Sequence, residues 1–177
     1  EKDVQWSEQG MLASYKFIQK FWTVHKKIRQ KTEEEKETMG DFDESLERFT
    51  NHIINKVNIS LDKFSYNVII ANLHEVYNFL SKEIVAKKIG KNLLDNYIKI
   101  LKVMLPIVPH IATECLTSIS SNKVFLWPEI NKEFLEIKKH NIVVQINGKK
   151  RSLFSIESSL EENELIEKIK NDSDLQK

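Results

Sequence analysis

Cysteine is nearly absent from this chain. Cys115 stands alone in 177 residues, which excludes an intrachain disulfide and fits a reducing compartment. Proline and glycine are scarce, at three and four residues. The glycines are isolated, so no Gly-rich loop exists to cradle a phosphate. Long apolar runs are missing too: none approaches the roughly 20 residues that cross a bilayer. Glu1-Lys2-Asp3 leads into polar sequence, unlike a cleavable signal peptide, so a cytoplasmic location and no membrane partner are expected. The histidines (His25, His52, His74, His110 and His140) are scattered. They form no HExxH motif and have no cysteine partner, so no metal site, cofactor site or catalytic group is expected in this chain. Cys115 reads as a small core residue, His110 as a helix-start residue after Pro109, and His74-Glu75 as a surface pair.

What is present is a globular mixture, 41% hydrophobic and 30% charged. That is enough for one sizeable core, or for a larger unit with a small appendage. The net charge of +1 hides segregation. From Gln9 to Thr32 there are six Lys or Arg and no acid, whereas Glu33 to Glu47 and Glu157 to Asp174 are acidic. Lys138 to Ile156 is again free of acids. Local charge therefore leaves a polyanionic partner open.

Four helical segments are predicted between residue 7 and about residue 120. In the first, Ser7 can cap, and Met11, Tyr15, Ile18 and Trp22 recur at helical spacing with Phe17, Phe21, Val24 and Ile28. Lys16, Lys20, Lys27 and Lys31 fall within about 60° of one another on the opposite face. The second carries Leu46, Phe49, Ile53, Val57, Leu61 and Phe64, and the third Ile69, Leu73, Val76, Leu80 and Ile84. The fourth begins near Asn92 with Leu94, Ile98, Leu101 and Leu105, and Pro106 and Pro109 must kink or split it before it resumes to Ile119. The expectation is a mainly α fold, an antiparallel four-helix-type bundle.

Beyond Ser121 the period changes. Trp127-Pro128 marks a non-helical connection, and Ile142 to Ile146 and Ser152 to Ile156 read as strands around Asn147-Gly148. A two-residue turn pairs Ile146 with Lys149, Val144 with Arg151 and Ile142 with Leu153, placing Lys149 and Arg151 on one face and Lys150 on the other. A short acidic helix is expected from about Leu160 to Asn171. Such a β-hairpin plus one helix is too small to hold a core alone. Two basic surfaces remain as binding candidates, the helical lysines and the strand cations. Each also has a plain reading, as a solvated helix face and as an edge guarded against aggregation.

Several stretches, in order, resemble bacterial-type leucyl-tRNA synthetase, a class I enzyme, after its catalytic domain. EKDVQWSEQGMLASYKFIQKFW is similar to the family's Trp-Ser-Asp-x-Gly segment and the Arg-bearing helix after it. Trp6, Ser7, Gly10, Phe17 and Trp22 match, and Lys16 and Lys20 stand where Arg is usual. FSYNVIIANLHEVYNFL resembles F-x-F-N-x-A-I-A, and LPIVPHIATECL resembles L-A-P-F-A-P-H-I-A-E-E-L-W, with Thr113, Cys115 and Leu116 departing from it. WPEINKEFLEIKKHNIVVQINGKKR is similar to W-P-x-x-D followed by I-V-V-Q-V-N-G-K-x-R.

The resemblance implies a helical anticodon-binding-type domain over residues 1–125, a connection over 126–139, and the start of a small C-terminal α/β domain over 140–177. It implies leucine tRNA as partner, recognised through backbone and shape. Lys16, Lys20, Lys27, Lys31, Lys149 and Arg151 are the candidate RNA contacts, and Lys150 departs from the family pattern. Catalytic and editing domains would lie upstream, with ATP and Mg serving the parent enzyme, a monomer, and not this segment. Valyl- and isoleucyl-type synthetases share the P-H-I segment and remain alternatives. So does a helical scaffold that binds a protein through an apolar groove.

Overall fold

A computed structural model describes residues 7–86, 89–120, 126–136, 139–146 and 149–157. The chain divides into two units, Glu1–Lys132 and Glu133–Lys177. The described part of the first unit is mainly helical: α1 (Glu8–Glu34), α2 (Glu44–Asp62), α3 (Tyr66–Ala86), α4 (Leu93–Met104) and α5 (Pro109–Ile119). The fourth predicted helix is thus two. Leu105 to Val108 break it, and Pro109 opens α5, where a missing N–H leaves no bond unmade.

Local chemistry explains the helix ends. The Ser7 hydroxyl accepts from Gly10 N at 3.1 Å to start α1, and the Asp43 carboxylate accepts from Leu46 N at 3.1 Å to start α2. Helix α2 stops where Ser65 N donates back to Ser60 O at 2.8 Å. That bond requires a left-handed residue between, and Phe64 supplies it at φ 53°. Phe64 was expected to finish the apolar stripe of α2; it lies past the helix end and is 76% exposed.

The helices close a ring: α1 packs chiefly on α3 and α5, α2 on α3 and α4, and α4 on α5. Consecutive α1 and α2 are therefore not principal neighbours, as a simple up-and-down bundle would have them; α3 serves both. Inside lie Phe21 and Ile28 of α1, Ile53 and Val57 of α2, Ile69 and Leu73 of α3, and Leu116 of α5. Each such side chain contributes on the order of 1.5–3 kcal/mol by leaving water. Phe49 stacks on Phe79 with ring centroids 3.8 Å apart, which ties α2 to α3 at the edge of the core.

Two stripes differ from expectation. The apolar residues of α1 are buried only from Phe21 onward, while Met11, Leu12 and Tyr15 stay exposed, because the bundle does not cover the first two turns. On α4 the core face is Leu93, Tyr97, Ile100, Leu101 and Met104, with Leu94, Ile98 and Leu105 only partly buried. Apolar residues occupy more than half of that helix's circumference, so spacing alone did not select the side.

The α1–α2 and α3–α4 connections clasp each other. Gly40 N donates to Ile89 O at 2.8 Å, and Ile89 N donates to Glu35 Oε2 at 3.0 Å. The Asn92 amide pairs with the Asp43 backbone, accepting from its N at 2.9 Å and donating to its O at 3.0 Å. A further strap crosses α2: Trp127 Nε1 donates to Asn58 Oδ1 at 2.9 Å, and Asn131 N donates to Asn51 Oδ1 at 2.7 Å.

In the second unit, β1 (Lys139–Ile146) and β2 (Lys149–Glu157) pair antiparallel. Ile146 faces Lys149 as expected, but Val144 pairs with Ser152 and Ile142 with Phe154, not with Arg151 and Leu153. The register shifts opposite Val144/Gln145 because β2 holds one extra residue there, a bulge at Arg151. The turn residues 147–148 and the helix expected at about 160–171 lie outside the described residues.

Candidate nucleic-acid interface

The residues with most to offer a polyanion sit on α1. Lys16, Lys20 and Lys27 are exposed and make no ion pair with any described residue. At 1.5 Å per residue they span about 16 Å along one side of the helix, long enough to meet successive phosphates. Lys26 is exposed beside them. Arg29 is 3.8 Å from Glu33, one turn on, which reduces its local charge. Lys31 differs from its expected companions: its Nζ is 3.8 Å from Glu35 Oε1 and only 20% of its side chain is exposed. Glu35 also holds the loop clasp through Ile89 N, so Lys31 leans toward the fold rather than outward. Lys149 and Arg151 belong to the other unit. The bulge interrupts the alternation that placed them together, with Lys149 in the regular ladder and Arg151 at the shift.

What aims α1 is a buried polar relay that sequence spacing did not flag. His25 is buried, with Nδ1 3.0 Å from the Tyr97 hydroxyl of α4 and Nε2 2.9 Å from Ser118 Oγ of α5. The Ser118 hydroxyl already donates to Cys115 O at 2.8 Å. Nε2 must therefore carry the hydrogen and donate to Ser118, and Nδ1 accepts from Tyr97. Both nitrogens are thus satisfied in the neutral ring. Burial, helped by the nearby Arg29 charge, lowers its pKa to about 4. Trp22 stacks on the same ring with centroids 5.1 Å apart. The only hint in the sequence is a histidine amid the apolar residues of α1.

Glu47 is the second such group. It is buried on α2, and its carboxylate accepts from Asn96 Nδ2 at 2.6 Å, Lys99 Nζ at 2.8 Å and Asn92 Nδ2 at 3.3 Å. Burial alone would raise its pKa, but the Lys99, Asn96 and Asn92 donors outweigh that and hold it below the usual range. Glu47 and His25 fix α4 against α2 and α1, and so settle which side of α1 faces water.

Chemistry of other kinds finds little footing. Among the described residues no group of three His, Cys, Asp or Glu is placed to hold a metal. His110 is exposed at the start of α5, and the His74 ring lies edge-on to Phe17 at 4.8 Å. Burial pushes the Cys115 thiol up to about 11, only partly offset by its hydrogen bond with Tyr97, so it is a packed thiol and not a nucleophile. No described helix is long and apolar enough to cross a membrane.

Residues 43–168 match the family described as the anticodon-binding domain of tRNA ligase. Among curated proteins, the chain is 28% identical to the leucine–tRNA ligase of Petrotoga mobilis, over all of the chain and 23% of that protein. It is 29% identical to the leucine–tRNA ligase of Buchnera aphidicola, over 98% of the chain and 22% of the relative. The chain thus spans less than a quarter of the curated relatives it matches. A solved LeuRS–tRNA–LeuAMS ternary complex of Agrobacterium radiobacter K84 is similar in fold, with a TM-score of 0.72 at 20% identity, over 98% of this chain and 23% of that one.

Proposed function

Because this chain belongs to the family of anticodon-binding domains of tRNA ligases, we propose that it is the tRNA-positioning segment of a leucine–tRNA ligase. The rest of that polypeptide supplies the ATP- and Mg-dependent activation of leucine and its transfer to tRNA. Leucine, rather than valine or isoleucine, is supported by the relatives named above, each a leucine–tRNA ligase. On this reading residues 1–125 form the helical domain, 126–139 the connection and 140–177 a hairpin-led beginning of a small appended domain. The parent acts in the cytoplasm as a monomer, and this segment contributes no catalytic group.

The observation that carries the RNA reading is the row of exposed lysines Lys16, Lys20 and Lys27, unpaired by any described residue, on a helix whose other side is anchored in the core. Lys31 sits at the edge of the row, and Lys149 and Arg151 join it as contacts from the second unit. Phosphate contacts release counterions, so affinity for leucine tRNA should fall steeply with salt, by about 0.7–0.9 in log–log slope per contact. The Lys16→Glu/Lys20→Glu double variant should weaken binding at low salt at least tenfold and flatten the slope by about 1.4–1.8. A fluorescence titration of the 177-residue chain with leucine tRNA tests this. Unchanged affinity and slope in the variant would assign the row to solvent alone.

A further inference from the structure

The aliphatic hydroxyls of α1 bond back to the helix itself. Ser14 Oγ donates to Gly10 O at 3.0 Å, Thr23 Oγ1 to Gln19 O at 2.9 Å and Thr32 Oγ1 to Ile28 O at 2.8 Å, the backward bond that Ser and Thr make inside helices. The Tyr15 hydroxyl, at the end of a long ring, does not. It meets the Gln19 side chain instead, with Nε2 2.8 Å from Oη, and both residues are exposed. The Gln30 amide, further along the same side, is turned to Glu34 Oε1 at 2.8 Å.

A single bond leaves the Tyr15–Gln19 pair half open. Gln19 donates to the tyrosine oxygen, so the tyrosine proton and Gln19 Oε1 have no partner among the described residues. Turning the amide over exchanges these roles and still leaves one donor and one acceptor facing water.

Their place on the helix decides what they can meet. At 100° per residue, Gln19 lies on the side of α1 opposite the buried Phe21, Val24 and Ile28. It follows Lys16 by three residues, a neighbouring position with Cβ atoms about 5–6 Å apart, and Lys20 is the next residue. Lys26 stands two turns further along the same line. A phosphate backbone held by Lys16, Lys20 and Lys27 therefore brings its sugars alongside the pair. Phosphate oxygens only accept, and cations alone hold DNA as they hold RNA. A ribose 2′-hydroxyl both donates and accepts, and in an A-form stem it lines the shallow groove, while the base edges of the deep groove are beyond side-chain reach. One donor beside one acceptor matches that hydroxyl.

We propose that Tyr15 and Gln19 recognise a ribose 2′-hydroxyl beside the lysine row, and so give α1 its preference for RNA. This rests on the tRNA reading above: the lysines supply affinity, and the pair supplies sugar specificity.

The experiment titrates the 177-residue chain, wild type and Tyr15→Phe/Gln19→Leu, with leucine tRNA transcribed with ordinary or with 2′-fluoro pyrimidines. Fluorine keeps the phosphate charge and the A-form sugar pucker and removes the hydroxyl. Wild type should bind the ordinary tRNA roughly threefold to tenfold more tightly, the worth of about one hydrogen bond. The double variant should bind both tRNAs alike, with the salt slope of the wild type, because no phosphate contact is lost. Any effect of fluorine on tRNA shape acts on both proteins and cancels between their ratios. Tyr15→Phe alone keeps the ring and should lose part of the preference, which reads the pair even where the double variant folds poorly. The same preference in wild type and variants would overturn the proposal, and so would a wild type with no preference. A shallower salt slope in the double variant would also overturn it, by making the pair a phosphate contact. Each of these results leaves tRNA binding, and the reading above, intact; a wild type that binds neither tRNA at low salt removes both.

Discussion

Replacing Glu47 by glutamine tests how much of the bundle rests on one buried carboxylate. The substitution keeps the volume and removes the charge. It also turns one acceptor oxygen into a donor that must face Asn96 Nδ2 or Lys99 Nζ, now 2.6 and 2.8 Å away. Asn92 and Asn96 each keep one other acceptor, at Asp43 O and Asn92 O, so neither amide is stranded outright. The loss is therefore one charge-assisted bond and one mismatched donor pair, about 2–3 kcal/mol. Lys99 is 34% exposed and can turn to water, so Lys99→Met alone should cost less, about 1 kcal/mol. The assay is urea denaturation of the single variants and the Glu47→Gln/Lys99→Met pair, which should couple by about 1 kcal/mol. The pH profile supplies a second reading. A carboxyl held low in the fold gives stability that is present above its unfolded pKa of 4.5 and is lost as pH falls through the folded value. Glu47→Gln should abolish that part of the acid dependence. A loss below about 0.5 kcal/mol with an unchanged acid limb would show that the carboxylate is not holding α2 to α4.

His25 titrates with the same sign from the opposite chemistry. Its folded pKa of about 4 lies below the ordinary 6.5, so the unfolded chain binds the extra proton. Stability should be full above about pH 6.5 and decline toward pH 4 by about 2 kcal/mol, discounted for the partly open Ser118 side. His25→Gln should flatten this window in denaturation measured from pH 7.5 to 4, and a wild-type curve already flat there would refute a neutral, relay-locked ring. Gly90→Ala should destabilise by about 1 kcal/mol, since a Cβ there meets Asp43 Cβ at 3.0 Å and Asp41 O at 3.1 Å inside the loop clasp. A rise in the denaturation midpoint would show that the clasp has room to give.

The sequence determined on its own whatever depends on near neighbours. Gaps of three and four along α2 and α3 located both helices and buried Leu46, Ile53, Val57, Leu73 and Leu80 as read, because one helical face is set by rotation per residue. Ser7 and Pro109 marked helix boundaries for equally local reasons. The Lys31–Glu35 pair was legible too, being four residues apart, yet facial grouping alone set Lys31 with the outward lysines. What only the tertiary structure decided depends on which surface meets which. Periodicity shows that the first turns of α1 are apolar, but not that nothing in the bundle covers them. It cannot choose among the apolar sides of α4, nor see that Tyr97, 72 residues from His25, makes that histidine a neutral hinge pin. Nor can it show that Lys99, 52 residues from Glu47, allows a carboxylate inside. The bulge at Arg151 is likewise a property of the pair of strands and not of either alone. Contacts across such separations follow from chain topology, and that topology turns the lysines of α1 to water.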